Sequence, residues 1–282
     1  MKNLLPYLFI IIPVAILIGL GIFPLAYAFW MGLHWWPMAP YRPITFVGAG
    51  NYVEFLTGRY FWEYVRITLT YVGLCLGFQY FIGLGLALLT RSGGRLISGM
   101  RVLFTIPILM APVAAGLIWR FLLNPLYGPL AIMMSDNGIH INWNDPTPAL
   151  FWVIIADTWQ WMPFMFLVLL SGIYSIPRQL YEAASVDGAS GWQEIRYIIL
   201  PFLKRITAVL LLLRGTLVFS ELDKIFVITG GGPGRATMTF TYAAFQSAFG
   251  AWELGMAAAI CFIVVIIVNV VFVAFMRFMK VA

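Results

Sequence analysis

Six long apolar segments constrain this chain more than any other feature of its sequence. A helix needs about 20 apolar residues to cross the hydrocarbon core of a membrane, and each segment meets that length. With 62% hydrophobic and only 10% charged residues, the chain lacks the polar surface of a soluble domain, in which about a quarter of residues are charged. Helices satisfy their own backbone hydrogen bonds in lipid. The sequence therefore predicts an all-α integral membrane protein with six transmembrane helices at Tyr7–Gly32, Tyr64–Leu89, Val102–Leu122, Ala149–Gly172, Ile206–Val227 and Leu254–Met276.

The first segment contains Ala26-Tyr27-Ala28, a pattern typical of a signal-peptidase site. The apolar run before it is longer than the roughly 7–15 residues of a signal peptide's apolar region. Bulky Phe29 and Trp30 continue the run. We therefore expect an uncleaved first transmembrane helix.

Basic residues beside the segments predict the orientation of the chain, because cytoplasmic loops are enriched in Lys and Arg. On the predicted cytoplasmic side lie Lys2, Arg91, Arg95, Arg101, Arg178, Arg196, Lys204, Arg205, Arg277 and Lys280. On the other side lie Arg42, Arg59, Arg66, Arg120, Lys224 and Arg235. Both termini are thus expected in the cytoplasm. The net charge of +6 comes from basic residues that lie mainly beside the apolar segments, where they set the orientation, and it does not indicate a nucleic-acid partner.

The loop between the fourth and fifth segments, about 173–205, is much longer than the 2–8 residues typical of a helix–helix connection. Helix-forming residues run from Tyr181 to Val186, Gly188 and Gly191 interrupt them, and a second helical run leads to Leu200. Acidic residues alternate with small ones that would let a partner approach closely. An ordinary solvated connector is the alternative to a docking surface. The acidic and small residues are Glu182, Asp187, Glu194, Ala183, Ala184, Ala189 and Ser190.

Ionisable residues inside spans usually face a cavity or a partner. The fourth segment carries a stripe of Asp157, Gln160, Trp161 and Phe164, and the fifth a stripe of Arg214, Leu217, Val218 and Glu221, with Asp223 just beyond. Aromatic faces flanked by polar groups suit sugars. The alternatives are plain packing and, for Arg214, an ion pair with a partner subunit. Lone polar residues on other segments, Gln79 and Asn269, are expected to hydrogen-bond between helices.

Two exterior features complete the predicted topology. The glycine run Gly230–Gly234 is expected to break the fifth segment, and Thr237–Gly250 to form a short amphipathic helix along the outer surface. Nothing else is large enough for a separate domain, so residues 1–282 are predicted to form one transmembrane domain.

Residues for chemistry of the chain's own are missing from the sequence. It has no phosphate-binding glycine loop with a lysine, and its two histidines, His34 and His140, lie in predicted exterior loops. Cys75 and Cys261 lie far apart within apolar segments. We expect no catalytic residue, metal or cofactor, and any energy source must come from another chain. A secondary transporter is a less favoured alternative, because no internal repeat is visible.

Several motifs resemble those of binding-protein-dependent ABC importer permeases. Glu182-Ala183-Ala184, with Gly188 and then Ile199-Leu200-Pro201, resembles the EAA loop of that family. Phe46-Val-Gly-x-x-Asn-Tyr52, Ile106-Pro-x-x-x-Ala-Pro112, Asn124-Pro125 and Ile228-Thr-Gly-Gly-Gly-Pro233 resemble its carbohydrate branch of the maltose and glycerol-phosphate type, specifically the first of the two permeases.

The resemblance implies a type I importer fold in a bacterial or archaeal inner membrane. It implies a heterodimer with a second permease, two ATP-binding subunits that hold the ATPase activity, and a periplasmic or lipid-anchored solute-binding protein. The EAA loop would be the coupling helix on the ATPase, through Glu182, Ala183, Ala184, Asp187, Gly188 and Ala189. Sugar would meet the positions of Gln160, Trp161, Phe164, Val218 and Glu221, beside the charged Asp157 and Arg214.

One stretch departs from the family's common sugar-permease pattern. Leu217 and Ser220 stand where an acidic and a basic residue are expected, whereas Arg214, Phe219 and Asp223 fit. The ligand therefore stays open between a sugar, an oligosaccharide, a related polyol, glycerol and a glycerol phosphate.

Overall fold

The computed structural model describes residues 5–39, 41–91, 95–138, 141 and 145–279. Most of them are helical, which confirms the all-α fold class. The α-helices are α1 Leu5–Leu17, α2 Phe23–Gly32, α3 Gly50–Thr57, α4 Phe61–Thr90, α5 Arg95–Thr105, α6 Pro112–Leu122, α7 Pro129–Asp136, α8 Pro146–Tyr174, α9 Arg178–Val186, α10 Gly191–Glu194, α11 Leu200–Phe219, α12 Asp223–Ile228, α13 Phe240–Phe245 and α14 Leu254–Met279.

Short irregular elements join several of these helices. Turns of π-helix cover Ile18–Ile22, Ile195–Ile199 and Gln246–Gly250, and a 3₁₀ turn covers Ile106–Leu109. The strands β1, His34–Trp35, and β2, Thr45–Phe46, pair antiparallel, with His34 opposite Phe46. Lys2, His140 and Lys280, which the sequence interpretation used, lie outside the described residues.

Four stretches of the described residues are long and apolar enough to cross a membrane. They match the first, second, fourth and sixth predicted segments. Their bounds are Phe9–Gly32, Phe61–Thr90, Pro148–Tyr174 and Leu254–Arg277.

The third predicted segment is bent. Gly99–Leu109 and Pro112–Leu122 meet at 101° and count as a fifth candidate span only if they are taken together. Pro107 lies in the 3₁₀ turn and Pro112 begins α6. Proline has no N–H to donate and crowds the preceding turn, so the expectation of one continuous helix from Val102 to Leu122 is wrong.

The fifth predicted segment, Ile206–Val227, is also divided. α11 ends at Phe219, where the Ser220 N–H bonds back to the Thr216 and Leu217 carbonyls, and α12 starts at Asp223. The helix therefore breaks before the glycine run at Gly230–Gly234 that was expected to end it. Three cations on α11 also make it less apolar than the four continuous spans, namely Lys204, Arg205 and Arg214.

One compact unit comprises Met1–Val65 and Thr239–Val270. In its core, Phe240 of α13 packs against Phe55 and Phe61 with ring centroids 6.0 and 5.9 Å away. Phe240 and its neighbours Tyr242, Ala243 and Ala244 are all buried. A helix thus forms within Thr237–Gly250, and aromatic packing buries one side of it; its place along the outer surface stays a prediction.

The other compact unit comprises Arg66–Met238 and Val271–Ala282. Its core lies along α8, where Met165, Phe166 and Leu169 are fully buried. A Cβ added at Gly83 of α4 would lie 2.9 Å from the backbone nitrogen of Phe166. Only glycine permits this approach of α4 to α8, which brings Gln79 opposite Asp157.

Candidate functional site

The EAA loop, residues 173–205, folds as a helix, a glycine turn and a second helix, as the sequence predicts. After α9, the N–H of Gly188 bonds to the carbonyl of Ser185, and the N–H of Ala189 bonds to that of Ala184, at 3.2 and 2.9 Å. This is the Schellman arrangement, which needs a left-handed residue at its turn. Gly188 has φ +70°, a conformation that glycine adopts without steric cost.

The second helix begins with a reciprocal cap. The Ser190 side chain accepts from the N–H of Gln193, and the Gln193 side chain accepts from the N–H of Ser190. Such a box satisfies two helix-end donors at once. α10 continues through the Ile195–Ile199 turn into α11, so the loop and the fifth predicted segment form one nearly continuous helical path.

The EAA loop exposes most of the residues assigned to coupling. Glu182, Ala183, Asp187, Gly188 and Ala189 are exposed, and Ala184 is half-buried. Val186 and Trp192 are 89% and 69% exposed. Polar, small and apolar side chains thus share one accessible surface. An exposed ion pair, Arg178 Nε to Glu182 Oε1 at 3.2 Å, lies on α9.

A second ion pair holds the EAA loop to α4. Arg91 Nη1 and Nη2 donate to the two carboxylate oxygens of Glu194 at 3.0 and 3.2 Å. The sequence interpretation used both residues but did not pair them. Their separation of 103 positions leaves no local sequence signal that pairs them.

The candidate pathway residues converge on a buried charge network of Gln79, Asp157, Arg214, Glu221 and Lys224. Asp157 Oδ2 accepts from Arg214 Nη2 at 2.6 Å and from Gln79 Nε2 at 2.7 Å. Gln79 Oε1 also accepts from Arg214 Nε at 3.0 Å. Arg214 thus donates to Asp157 through Nη2 and to Gln79 through Nε, and Gln79 forms the inter-helix hydrogen bonds expected of it.

Lys224 is the member that the sequence interpretation placed wrongly. It was counted with the exterior basic loops, but it is 0% exposed and lies 3.0 Å from Asp157 Oδ1 and 2.9 Å from Glu221 Oε1. A buried ammonium needs counter-charges, and here two carboxylates supply them. The break before α12 turns Lys224 inward, and the sequence pattern of a continuous span did not reveal it.

The charges of the network cancel. Arg214 and Lys224 are cationic, Asp157 and Glu221 anionic, and Arg214 finds its partner within the chain. The alternative that Arg214 pairs with a partner subunit is therefore unnecessary. Charged groups inside a membrane are tolerated when they pair with one another in this way.

An aromatic pair lies against the network. The Arg214 guanidinium sits 4.6 Å from the centre of the Trp161 ring, and Phe164 packs edge-on to Trp161 at 6.5 Å. Trp161 and Phe164 are partly exposed, whereas Gln160 is buried and donates to the Met110 carbonyl at 2.8 Å, at the bend of the third segment. In the stripe on the fourth segment, Trp161 and Phe164 are therefore partly exposed, whereas Asp157 and Gln160 are buried.

The predicted stripe on the fifth segment is only partly realised. Arg214 and Val218 are buried together, but Leu217 is 50% exposed, and Glu221 lies beyond the end of α11. Asn269 also differs from expectation, since its amide donates to Val265 of its own helix. Helical periodicity alone placed these residues, and the break after Phe219 takes Glu221 off the helix.

Comparison with known proteins decides the family. The family described as "binding-protein-dependent transport system inner membrane component" matches residues 79–280. The trehalose/maltose transport system permease protein MalF of Thermococcus litoralis is 33% identical over 93% of this chain and 90% of its own length. The sn-glycerol-3-phosphate transport system permease protein UgpA of Agrobacterium fabrum is 31% identical over 79% and 76%.

The chain belongs to this family of inner membrane components. It is a permease subunit of a binding-protein-dependent transport system, which confirms the resemblance of the EAA loop and the expected dependence on a binding protein. A crystal structure of a bacterial ABC transporter involved in the import of the acidic polysaccharide alginate superposes with TM-score 0.83, at 21% identity over 99% of this chain and 96% of the other. That match confirms the type I permease fold.

Proposed function

We propose that this permease forms half of the path by which an ABC importer moves a neutral sugar, oligosaccharide or related polyol. Residues 1–282 act as one permease domain beside a second permease subunit. Two ATP-binding subunits supply the ATPase activity in the cytoplasm, where both termini and the EAA loop also lie. A periplasmic or lipid-anchored binding protein delivers the solute from outside.

The charge-balanced network behind Trp161 and Phe164 carries the proposal for a neutral solute. A sugar presents an apolar C–H face that stacks on aromatic rings and a rim of hydroxyls that hydrogen-bond. An anionic solute would need a cation to receive it, but Arg214 and Lys224 are already paired with Asp157 and Glu221. The names of MalF, a trehalose/maltose permease, and of other relatives agree with a carbohydrate.

The pathway residues divide into two roles. Trp161 and Phe164 are the partly exposed ones, and their ring faces are the surfaces that we assign to the solute. Asp157, Gln160, Arg214 and Val218 are buried and hold those rings in place. Glu221 is half-buried at the end of α11.

Coupling to ATP hydrolysis uses the accessible face of α9 and its glycine turn. A rigid element with a small contact face can transmit a rigid-body motion. The Schellman cap at Gly188 and the box at Ser190 stiffen both sides of the turn. Docking on the ATP-binding subunit would cover Glu182, Ala183, Asp187 and Ala189, with Ala184 behind them.

The experiment is uptake by the complete transporter in proteoliposomes, with the binding protein and ATP supplied. Trehalose, maltose and sn-glycerol 3-phosphate would each be offered as the labelled solute. We expect ATP-dependent uptake of a neutral sugar and none of the phosphate ester. Uptake of sn-glycerol 3-phosphate alone would overturn the neutral class, and uptake without ATP would overturn the importer mechanism.

A further inference from the structure

The ion pair between Arg91 and Glu194 lies at a junction of several segments. Arg91 follows the last residue of α4, and Glu194 is the last residue of α10. Two parallel N–H···O bonds join them, a geometry that fixes orientation as well as distance. The side chains are 27% and 23% exposed, so water screens this pair less than a pair on an open surface.

The same junction holds the end of α4 from other sides. Arg101 of α5 donates to the Thr90 carbonyl and to the Tyr174 hydroxyl at the end of α8. The Tyr174 hydroxyl in turn donates to the Arg91 carbonyl at 3.4 Å. The end of α4 is therefore fixed by α5 and α8, and Arg91–Glu194 adds its direct attachment to the EAA loop.

Tyr181 of α9 also faces this ion pair. Burial raises the pKa of the Tyr181 hydroxyl above its ordinary value, the Glu194 carboxylate raises it further, and Arg91 opposes them. The phenol therefore stays neutral at physiological pH. The charged and titratable groups at the junction are thus Arg91, Glu194 and Tyr181, together with Arg101 and Tyr174, and groups from both helices of the EAA loop act on Arg91 here.

α4 runs without a break from this junction to the buried charge network. Gln79 lies 12 positions before Arg91 in the sequence, a distance of roughly 18 Å along a helix. Its amide bonds to both Asp157 and Arg214. No proline lies in α4, and Gly83 packs it closely on α8 between the two points. A displacement at Arg91 is therefore carried along a rigid helix to Gln79.

We propose that Arg91 and Glu194 form the joint through which motion of the EAA loop reaches α4 and the buried charge network. The proposal rests on the coupling role proposed above for that loop. Both are positioning residues, because they touch neither solute nor nucleotide. Without this ion pair, the EAA loop can still move with the ATP-binding subunit, but α4 no longer moves with the loop. ATP is then hydrolysed without a matching amount of transport.

The test measures solute uptake and binding-protein-stimulated ATP hydrolysis together in proteoliposomes holding the complete transporter. Arg91→Gln and Glu194→Gln should each lower the solute moved per ATP about tenfold, within the range of typical site-to-site couplings. The charge swap Arg91→Glu with Glu194→Arg should recover most of that ratio. Arg196→Gln, which removes an exposed arginine two residues after Glu194, is the matched control and should leave the ratio unchanged.

A normal ratio in both single variants would overturn the joint, as would a swap that recovers nothing. Loss of the assembled complex in both single variants, judged by copurification of the ATP-binding subunits, would assign the pair to stability alone and overturn it too. Gly188→Asp separates this failure from failure of the coupling role. If Gly188→Asp transports normally, the coupling role proposed for the EAA loop is wrong. If Gly188→Asp does not transport but Arg91→Gln behaves as wild type, the coupling role stands and only the role of the Arg91–Glu194 pair is wrong.

Discussion

The EAA loop and the buried charge network both use arginine–carboxylate pairs, in opposite surroundings. Arg178 and Glu182 of α9 are 91% and 64% exposed and lie 3.2 Å apart. Arg214 and Asp157 are fully buried at 2.6 Å. Water solvates the first pair whether or not it forms, so its net contribution to stability is small. The second pair is shielded from solvent, so each of its charges is stabilised by its partner and not by water.

The difference agrees with the two tasks that we propose for the chain. A surface that docks on another subunit must offer its side chains to that subunit, and the loop leaves Glu182 and Val186 accessible. A polar cluster within a span must be satisfied internally, and the network joins α4, α8 and the α11–α12 break through Gln79, Asp157 and Lys224. The exposed pair on α9 is therefore expected to be lost with little change in stability, whereas loss of a charge from the network is expected to destabilise the protein.

Removing one member of the buried pair should have the largest effect. Arg214→Leu leaves Asp157 with only Lys224 as a counter-charge and should lower the free energy of unfolding by about 3–5 kcal/mol, the usual result of breaking a buried pair. Thermal unfolding of the detergent-purified permease measures it.

The matched control is the double variant Asp157→Leu with Arg214→Leu, which removes both charges and leaves Lys224 paired with Glu221. It should unfold at a higher temperature than Arg214→Leu alone. If the single variant is as stable as wild type, the contrast between the two regions disappears.

Gly188→Asp should have the second-largest effect, and that effect should be on transport. Its φ of +70° disfavours a residue with a side chain, and a second carboxylate beside Asp187 alters the proposed docking surface. Uptake should be lost while ATP hydrolysis continues without solute. An added Cβ meets no atom within 4 Å at either Gly188 or Gly191, and Gly191 lacks the positive φ, so Gly191→Asp is the matched control and should transport. Normal uptake by Gly188→Asp would remove the coupling role.

The sequence predicted the EAA loop well because its signals are local. The helix formers from Tyr181 to Val186 and the interrupting Gly188 and Gly191 all lie within a few residues of the structures they specify. The apolar segments predicted the four continuous spans for the same reason. Prolines at 107 and 112 were visible in the third segment, but the 101° bend depends on how the two halves pack.

The buried charge network was only half predictable. Asp157 and Arg214 stand out as charges within apolar runs, and Gln79 as a lone polar residue. Lys224 did not, because its inward direction follows from the break at Ser220–Leu222 and one of its two partners, Asp157, comes from a distant segment. Arg91 and Glu194 were missed on the same ground. Pairs that form across the sequence need the packing of the helices, which hydropathy does not describe.

Truncating Trp161 or Phe164 should have a moderate effect on uptake, which tests the pathway role proposed for the rings beside the network. Trp161→Ala removes both the ring over Arg214 and the proposed stacking face, and Phe164→Ala removes its neighbour. Each should lower uptake about tenfold, since a cation–π contact or an aromatic pair accounts for about 1–2 kcal/mol. Assembly with the ATP-binding subunits should persist.

Phe151→Ala is the matched control, an exposed aromatic residue on the same helix, and should leave uptake unchanged. If Trp161→Ala and Phe164→Ala instead prevent assembly, the rings are packing residues and the pathway role fails.

The smallest effect is expected at the exposed pair on α9. Arg178→Gln removes the partner of Glu182 but leaves that carboxylate in water, so the free energy of unfolding should change by no more than ~0.5 kcal/mol. Thermal unfolding of Arg178→Gln and of Arg214→Leu, measured under the same conditions, gives the comparison directly, because each variant removes the arginine partner of one carboxylate. A loss at Arg178 as large as that at Arg214 would show that burial does not decide the strength of these pairs, and the division between an open docking surface and a self-satisfied internal network would fail with it.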